Sequence, residues 1–198
     1  HFPHREAPGK RWVYHTSDTY LLGVAMNAYL SEQTGEPSDY YRDLLVSIWR
    51  DMGLSPTLDD IRRTVPDGTP FSGYGLVLHA RDIALLGHLL ASGDARFSAY
   101  FDADMLNAAM QRNAADRGLD AGGETLRYRH GFWGWNARSV LGCKTDTWLP
   151  FFSGYGGISV VLLPGGTVYY YFSDGGVHAF ANAVKAIAKA SPVCGGMS

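Results

Sequence analysis

Apolar residues along the first half of the chain recur at helical spacing. From about Asp18 to Glu32 they are Leu21, Leu22, Ala25, Met26, Ala28 and Tyr29. Ser17 suits an N-cap, Asp18 suits the positive helix end, and Gly35 suits a stop. A second helix is expected from about Asp39 to Met52, capped by Ser38 and stopped by Gly53, with Tyr41, Leu44, Leu45, Ile48 and Trp49 inward. Residues Leu54 to Leu76, rich in Pro, Gly, Asp and Thr, read as a long irregular segment with a short strand near Ile61 to Val65. Two more helices are predicted, Ala80 to Ala91 (Ile83, Leu86, Leu89 and Leu90 inward) and Ala103 to Ala115.

The pattern then changes to aromatic runs of period two. Leu126 to Trp135, Ile158 to Leu163 and Thr167 to Phe172 are predicted strands. Pro164-Gly165-Gly166 turns the last two into a hairpin, and Val177 to Ala190 reads as a closing amphipathic helix. Helices, then strands, then one helix make an α+β pattern with an antiparallel sheet. Residues 1–125 are the mainly helical region and 126–198 the strands and C-terminal helix.

Charge narrows the functional classes. The net charge is −2 and only four lysines occur, without a basic cluster, so nucleic acid is not an expected partner. Apolar runs such as Ile158 to Leu163 are too short to span a bilayer. The chain opens on His1 with no signal pattern, which reads as a cut or processed end. His1 and His4 lack a third ligand, so neither a metal nor a cofactor is expected. Cys143 and Cys194 either form one bridge, if their Cα atoms come within about 7 Å, or are two unrelated small apolar residues.

Known catalytic motifs are mostly absent. None of the fourteen serines has a lysine three positions on, and Ser153 has Phe151 where a nucleophile elbow needs glycine. Two segments carry candidate chemistry. In Tyr14-His15-Thr16-Ser17-Asp18, a tyrosine precedes a helix N-terminus, a setting that favours phenolate and general-base work. Taken alone, Tyr14 reads more simply as a packed aromatic with a bonded hydroxyl. In Phe151-Phe152-Ser153-Gly154-Tyr155-Gly156-Gly157-Ile158, glycines enter a strand. They suit close approach of a substrate backbone and an exposed amide aimed at an oxyanion, or equally a plain glycine turn.

These segments together resemble the class C β-lactamases and their esterase, D-aminopeptidase and 6-aminohexanoate-dimer-hydrolase relatives. Pro8-Gly9 through Tyr14-His15-Thr16 and Leu21-Leu22-Gly23 is similar to that family's tyrosine box. Ser72-Gly73-Tyr74-Gly75-Leu76 through His79-Ala80-Arg81-Asp82 resembles its helix entry, and Phe132-Trp133-Gly134-Trp135 its aromatic strand. Ser153-Gly154-Tyr155-Gly156-Gly157 followed by Val160-Val161-Leu162-Leu163-Pro164 resembles its third box.

The resemblance implies a β-lactamase/transpeptidase-like fold of which 1–198 is the C-terminal portion. It implies a serine hydrolase acting on an ester or amide, whether β-lactam, D-amino-acid peptide or carboxylic ester, through an acyl-enzyme. Tyr14 would relay protons, the Tyr155 N–H would meet the oxyanion, and Thr16, Ser153, Gly154 and Gly156 would line the substrate. No Lys or His opens the third box, a departure from the pattern that recognises a β-lactam carboxylate. The family's nucleophile lies on a Ser-x-x-Lys segment upstream of the tyrosine box. That segment is the expected partner, with a small-molecule or short-peptide substrate and a periplasmic or secreted setting. Without it the sheet would expose an edge, and these residues alone would be inactive. The alternative is a catalytically inactive module binding peptidoglycan or a protein.

Overall fold

The computed structural model describes residues 6–7, 9–66 and 68–197. Pro8 and the His1/His4 spacing lie outside them. The chain groups into two compact units, one of residues 13–86 and one of residues 1–12 with 87–198.

The 13–86 unit begins with α1, Thr16–Thr34. His15, in extended conformation, is its N-cap, and no side chain caps it. The expected cap, Ser17, therefore lies inside the helix. Gly35 ends it in the left-handed region (φ +75°), donating to the Ser31 carbonyl. The apolar face expected inward is largely in solvent, with Leu21 and Leu22 each 60% exposed. The packed face is that of Gly23, Met26 and Leu30, of which the sequence pattern includes only Met26. Gly23 abuts Tyr40, where a Cβ would lie 2.9 Å from Tyr40 Cε1, and Met26 and Leu30 pack on the Tyr40, Tyr41, Val46 and Ile61 cluster. Both faces of α1 are apolar, so periodicity identified the helix without saying which side is inward.

The second predicted helix divides into a π-helical turn, Tyr41–Leu45, and α2, Val46–Asp51. Asp39, not Ser38, serves the first turn, accepting from the Tyr41 and Arg42 amides at 3.0 and 2.9 Å. Its other oxygen pairs with Arg63. The short strand expected near Ile61 to Val65 is only an isolated bridge, Arg63 with Pro70. The boundary between the units falls within α3, Ala80–Ser92.

The other unit holds α4 (Ala103–Ala109), α5 (Arg138–Leu141), α6 (Ala181–Ile187) and an antiparallel sheet. The strands are β1 (Leu119–Asp120), β2 (Leu126–Arg129), β3 (Phe132–Asn136), β4 (Trp148–Gly154), β5 (Ile158–Leu163) and β6 (Thr167–Phe172). Their order in the sheet is their order in the chain. An α+β chain with an antiparallel sheet is what the patterning led us to expect.

Details differ for local reasons. Helix α4 stops before Ala115 because Gln111 turns into the left-handed region (φ +59°) and its side chain fills the space over Gly134. The single strand expected over Leu126 to Trp135 is a hairpin folded at His130-Gly131, both at positive φ as a two-residue primed turn requires. Strand β4 escaped the alternation test because Trp148, Leu149, Pro150 and Phe151 are all buried. Helix α6 starts only at Ala181, leaving Val177 to Phe180 as an irregular approach.

The core of this unit lies between β3–β5 and α6. It joins Trp135, Leu149, Phe151, Val161, Leu163 and Val184. Cys143 and Cys194 are disulfide-bonded with Cα atoms 5.5 Å apart, which decides between the two readings of the cysteines. The bridge holds the C-terminal tail on β4, where Gly195 N–H donates to Thr147 Oγ1 at 3.2 Å.

Candidate functional site

Strand β4 delivers Ser153 and Gly154 to its end, and the turn Tyr155-Gly156-Gly157 follows, with φ of +83° and +93° at the two glycines. The turn is pinned by the segment leaving β6. Ser173 N–H donates to the Gly157 carbonyl and Gly176 N–H to the Gly156 carbonyl, both at 3.2 Å. Ser173 Oγ in turn accepts from the Gly175 and Val177 amides at 3.1 and 3.3 Å. Gly157 is required by this approach. A Cβ there would stand 2.7 Å from Val177 N and 2.8 Å from its carbonyl oxygen, backbone atoms that cannot step aside. Gly154 is close to its partner too, with Ile158 Cβ 3.0 Å from where its own would lie.

That clamp places His178 over the end of β4. Its Nδ1 is 3.4 Å from Ser153 Oγ, the long end of hydrogen-bond range, and both groups are exposed. Tyr155 projects wholly into solvent (101% exposed), and its backbone N–H has no partner among the described residues. The nearby rings lie on both faces of the sheet: Phe151, on the Ser153 face, meets Phe180 at 4.9 Å, and Phe132 and Phe152, with ring centroids 4.6 Å apart, lie on the opposite face. The site thus presents a hydroxyl, an imidazole and a turn amide in water at the end of β4. Of the predicted residues, Ser153, Gly154, Tyr155 and Gly156 share this rim. His178 escaped the sequence reading, which placed it inside a helix. Its only signal was a histidine just after the Gly175-Gly176 pair.

Tyr14 and Thr16 belong to the 13–86 unit. Tyr14 is 54% exposed on the extended approach to α1. Thr16 opens the helix, and its carbonyl accepts from Thr19 Oγ1 at 2.7 Å. A loop braces this helix start. Ser72 Oγ donates to the Thr19 carbonyl at 2.6 Å, and Gly73 sits so close that its Cβ would meet Thr16 Cγ2 at 2.3 Å. Further along, Asp82 accepts from His79 N–H at 3.1 Å, the return half of a capping box, and from Ser55 N–H at 3.0 Å. Burial acts to raise the Asp82 pKa, but the Ser55 and His79 hydrogen bonds outweigh it and hold it below the usual value. The resemblance segment 72–82 therefore supports the base of α1 and the start of α3.

Among the described residues no group of three or more His, Cys, Asp or Glu could hold a metal ion, and no helix is long and apolar enough to cross a membrane. Set against known proteins, the chain matches no family model, no curated protein and no solved structure.

Proposed function

We propose that these residues form the tyrosine and substrate-strand part of a serine hydrolase that acts on an ester or amide through an acyl-enzyme. The observation that carries this reading is the rim at the end of β4. There the Tyr155 N–H, unpartnered among the described residues, stands beside the Ser153–His178 pair and is held by the loop of residues 173–178. A preorganised amide in that position suits a developing oxyanion. Tyr14, on a loop entering a helix N-terminus, is the proton relay, and Thr16 contacts the substrate. Ser153, Gly154 and Gly156 line the substrate strand, with His178 as an additional donor or acceptor. Nucleophile and lysine come from a Ser-x-x-Lys segment of the same protein outside these residues, and neither a cofactor nor a metal enters the scheme. The Cys143–Cys194 bridge suits a periplasmic or secreted setting.

The test is labelling of the full-length protein by a fluorophosphonate or penicillin probe, followed by mapping of the modified residue. The expected adduct is on a serine outside residues 1–198. Tyr14→Phe should slow acylation by about 10²–10⁴. Absence of any adduct, or an adduct on one of the serines within this chain, refutes the reading, and an unchanged Tyr14→Phe rate removes Tyr14 from its role.

A further inference from the structure

Beside the rim, in β5, lies a buried hydroxyl. Ser159 is 2% exposed, and its Oγ has no hydrogen-bond partner among the described residues. Such a group has given up its hydration with nothing in return, and buried hydroxyls are as a rule bonded. Closed off from solvent, it is out of reach of any further segment, so its partner has to come from beside it. The register names that neighbour. Ser173 N–H bonds to the Gly157 carbonyl and Ile158 stands opposite Phe172, so 157 and 173 are a hydrogen-bonded pair, and by alternation so are Ser159 and Tyr171. The Ser159 amide and carbonyl therefore point to β6. On its other side Ser159 stands opposite Ser153 of β4, in a pair without ladder bonds, the kind with Cα atoms about 4.5 Å apart and side chains closest. Both hydroxyls lie on the face where His178 Nδ1 stands 3.4 Å from Ser153 Oγ. Tyr171 shares that face, but its hydroxyl is at the far end of a half-exposed ring. Facing hydroxyl residues are among the cross-strand pairs that bond. A turn about the Ser159 Cα–Cβ bond aims its O–H at Ser153 Oγ and leaves the Ser153–His178 contact in place.

We infer that Ser159 is a positioning residue of this rim: its hydroxyl donates to Ser153 Oγ, Ser153 donates to His178 Nδ1, and the imidazole proton is thereby held on Nε2. Ser153 has one proton to give. Accepting from Ser159 makes its oxygen a stronger donor and a poorer second acceptor, so Nδ1 is the group that accepts. His178 is exposed, and its Nε2–H is then a donor facing water. The direction of this chain of hydrogen bonds stands on the geometry alone. Its use rests on the hydrolase reading: the Tyr155 N–H and the His178 Nε2–H become two donors for the carbonyl oxygen of an ester or amide, and Nδ1, already occupied, is not a base. The buried hydroxyl thus decides between the donor and acceptor roles of His178.

Nuclear magnetic resonance of the isotope-labelled full-length protein tests it through the ring nitrogens of His178, assigned by their loss in His178→Gln. At alkaline pH, where an imidazole is neutral, nitrogen–proton correlations should show the Nε2–H form alone, with Nδ1 as acceptor. Ser159→Ala should turn this into a mixture of the two tautomers, and Ser153→Ala, which breaks the next link, should give the same mixture. Ser159→Thr keeps the hydroxyl on a side chain suited to a strand and should restore the single form. A mixture already present in the wild type, the Nδ1–H form, or a Ser159→Ala spectrum identical to wild type overturns the proposal, the last meaning that a buried water serves the hydroxyl. Ser159→Ala should also slow acylation about threefold, and should not slow the His178→Ala variant further, because Ser159 acts through the imidazole. Equal slowing in both backgrounds, or none in either, overturns the proposal as well. The spectra need no activity, so a protein that forms no adduct refutes the hydrolase reading while the tautomer still decides the role of Ser159.

Discussion

Replacing both Cys143 and Cys194 by serine removes a cross-link between positions 51 residues apart. Chain-entropy scaling for a closed loop of that length gives a loss of about 4 kcal/mol at room temperature. The native contacts of the tail remain available to the variant. Val193 is 3% exposed and joins the α6 core cluster, and Gly196 lies so near β4 that its Cβ would stand 3.0 Å from the Trp148 carbonyl oxygen. The loss should therefore arise chiefly in the unfolded ensemble, which gains freedom without the bridge. Urea titration followed by tryptophan fluorescence reads it, because Trp12, Trp133, Trp135 and Trp148 all lie in the unit that holds the bridge. The expected signature is a lower midpoint with an equal or steeper slope, the steeper slope reporting a more open unfolded chain. Wild type treated with a thiol reductant should match the double variant. A difference below about 1 kcal/mol would refute the entropic account, since even a loop of about 15 residues should give ~3 kcal/mol. Two free thiols titrated in the folded, unreduced protein would refute the bridge itself.

Three further expectations follow from single contacts. Gly157→Ala forces a Cβ onto the Val177 backbone at positive φ, so it should destabilise by about 1–3 kcal/mol in urea titration; a neutral result means the 173–178 clamp is loose. His178→Ala should leave the unfolding midpoint unchanged and slow acylation of the full-length protein about tenfold, the loss of one hydrogen bond of ~1.4 kcal/mol; an unaltered rate removes His178 from the site. Burial acts to raise the Asp39 carboxyl, but Arg63 and Arg42 outweigh it and hold it below its ordinary 3.8. A depressed carboxylate stabilises above its unfolded pKa, and that contribution disappears as pH falls below about 3.8 through the folded value. Asp39→Asn should therefore flatten the acid limb of the stability curve, and should be destabilising at neutral pH by about 1–3 kcal/mol, because Arg63 loses its carboxylate partner but keeps the Gly68 carbonyl and Asp60; an acid limb as steep as wild type would contradict this.

Local pattern carried much of the fold. The bounds of β5 and β6 follow from short β-branched and aromatic apolar runs closed by Pro164-Gly165-Gly166, and α3 from its inward leucines, because both signals depend only on neighbours in sequence. The glycine turn after Ser153 was legible for the same reason, since positive φ is a local demand that glycine meets. Local pattern misled wherever the deciding partner lay far along the chain. Helix α1 has two apolar sides, and Tyr40 and Ser72 against Gly23 determine which is buried. Helix α4 ends at Ala109 because the Gln111 side chain finds its space over Gly134 in β3, more than twenty positions further along the chain.

Sequence by itself determined the α+β order, the β5–β6 hairpin and the segments rich in chemistry-bearing residues. Tertiary structure decided the rest: that Cys143 meets Cys194, that β4 with its buried Pro150 is a central strand, and that His178 stands over Ser153. The physical reason is the same in each case. Propensity and periodicity are set by the backbone of a few successive residues, whereas a disulfide, a sheet neighbour or a side-chain pair 25 positions apart exists only once the chain has closed on itself.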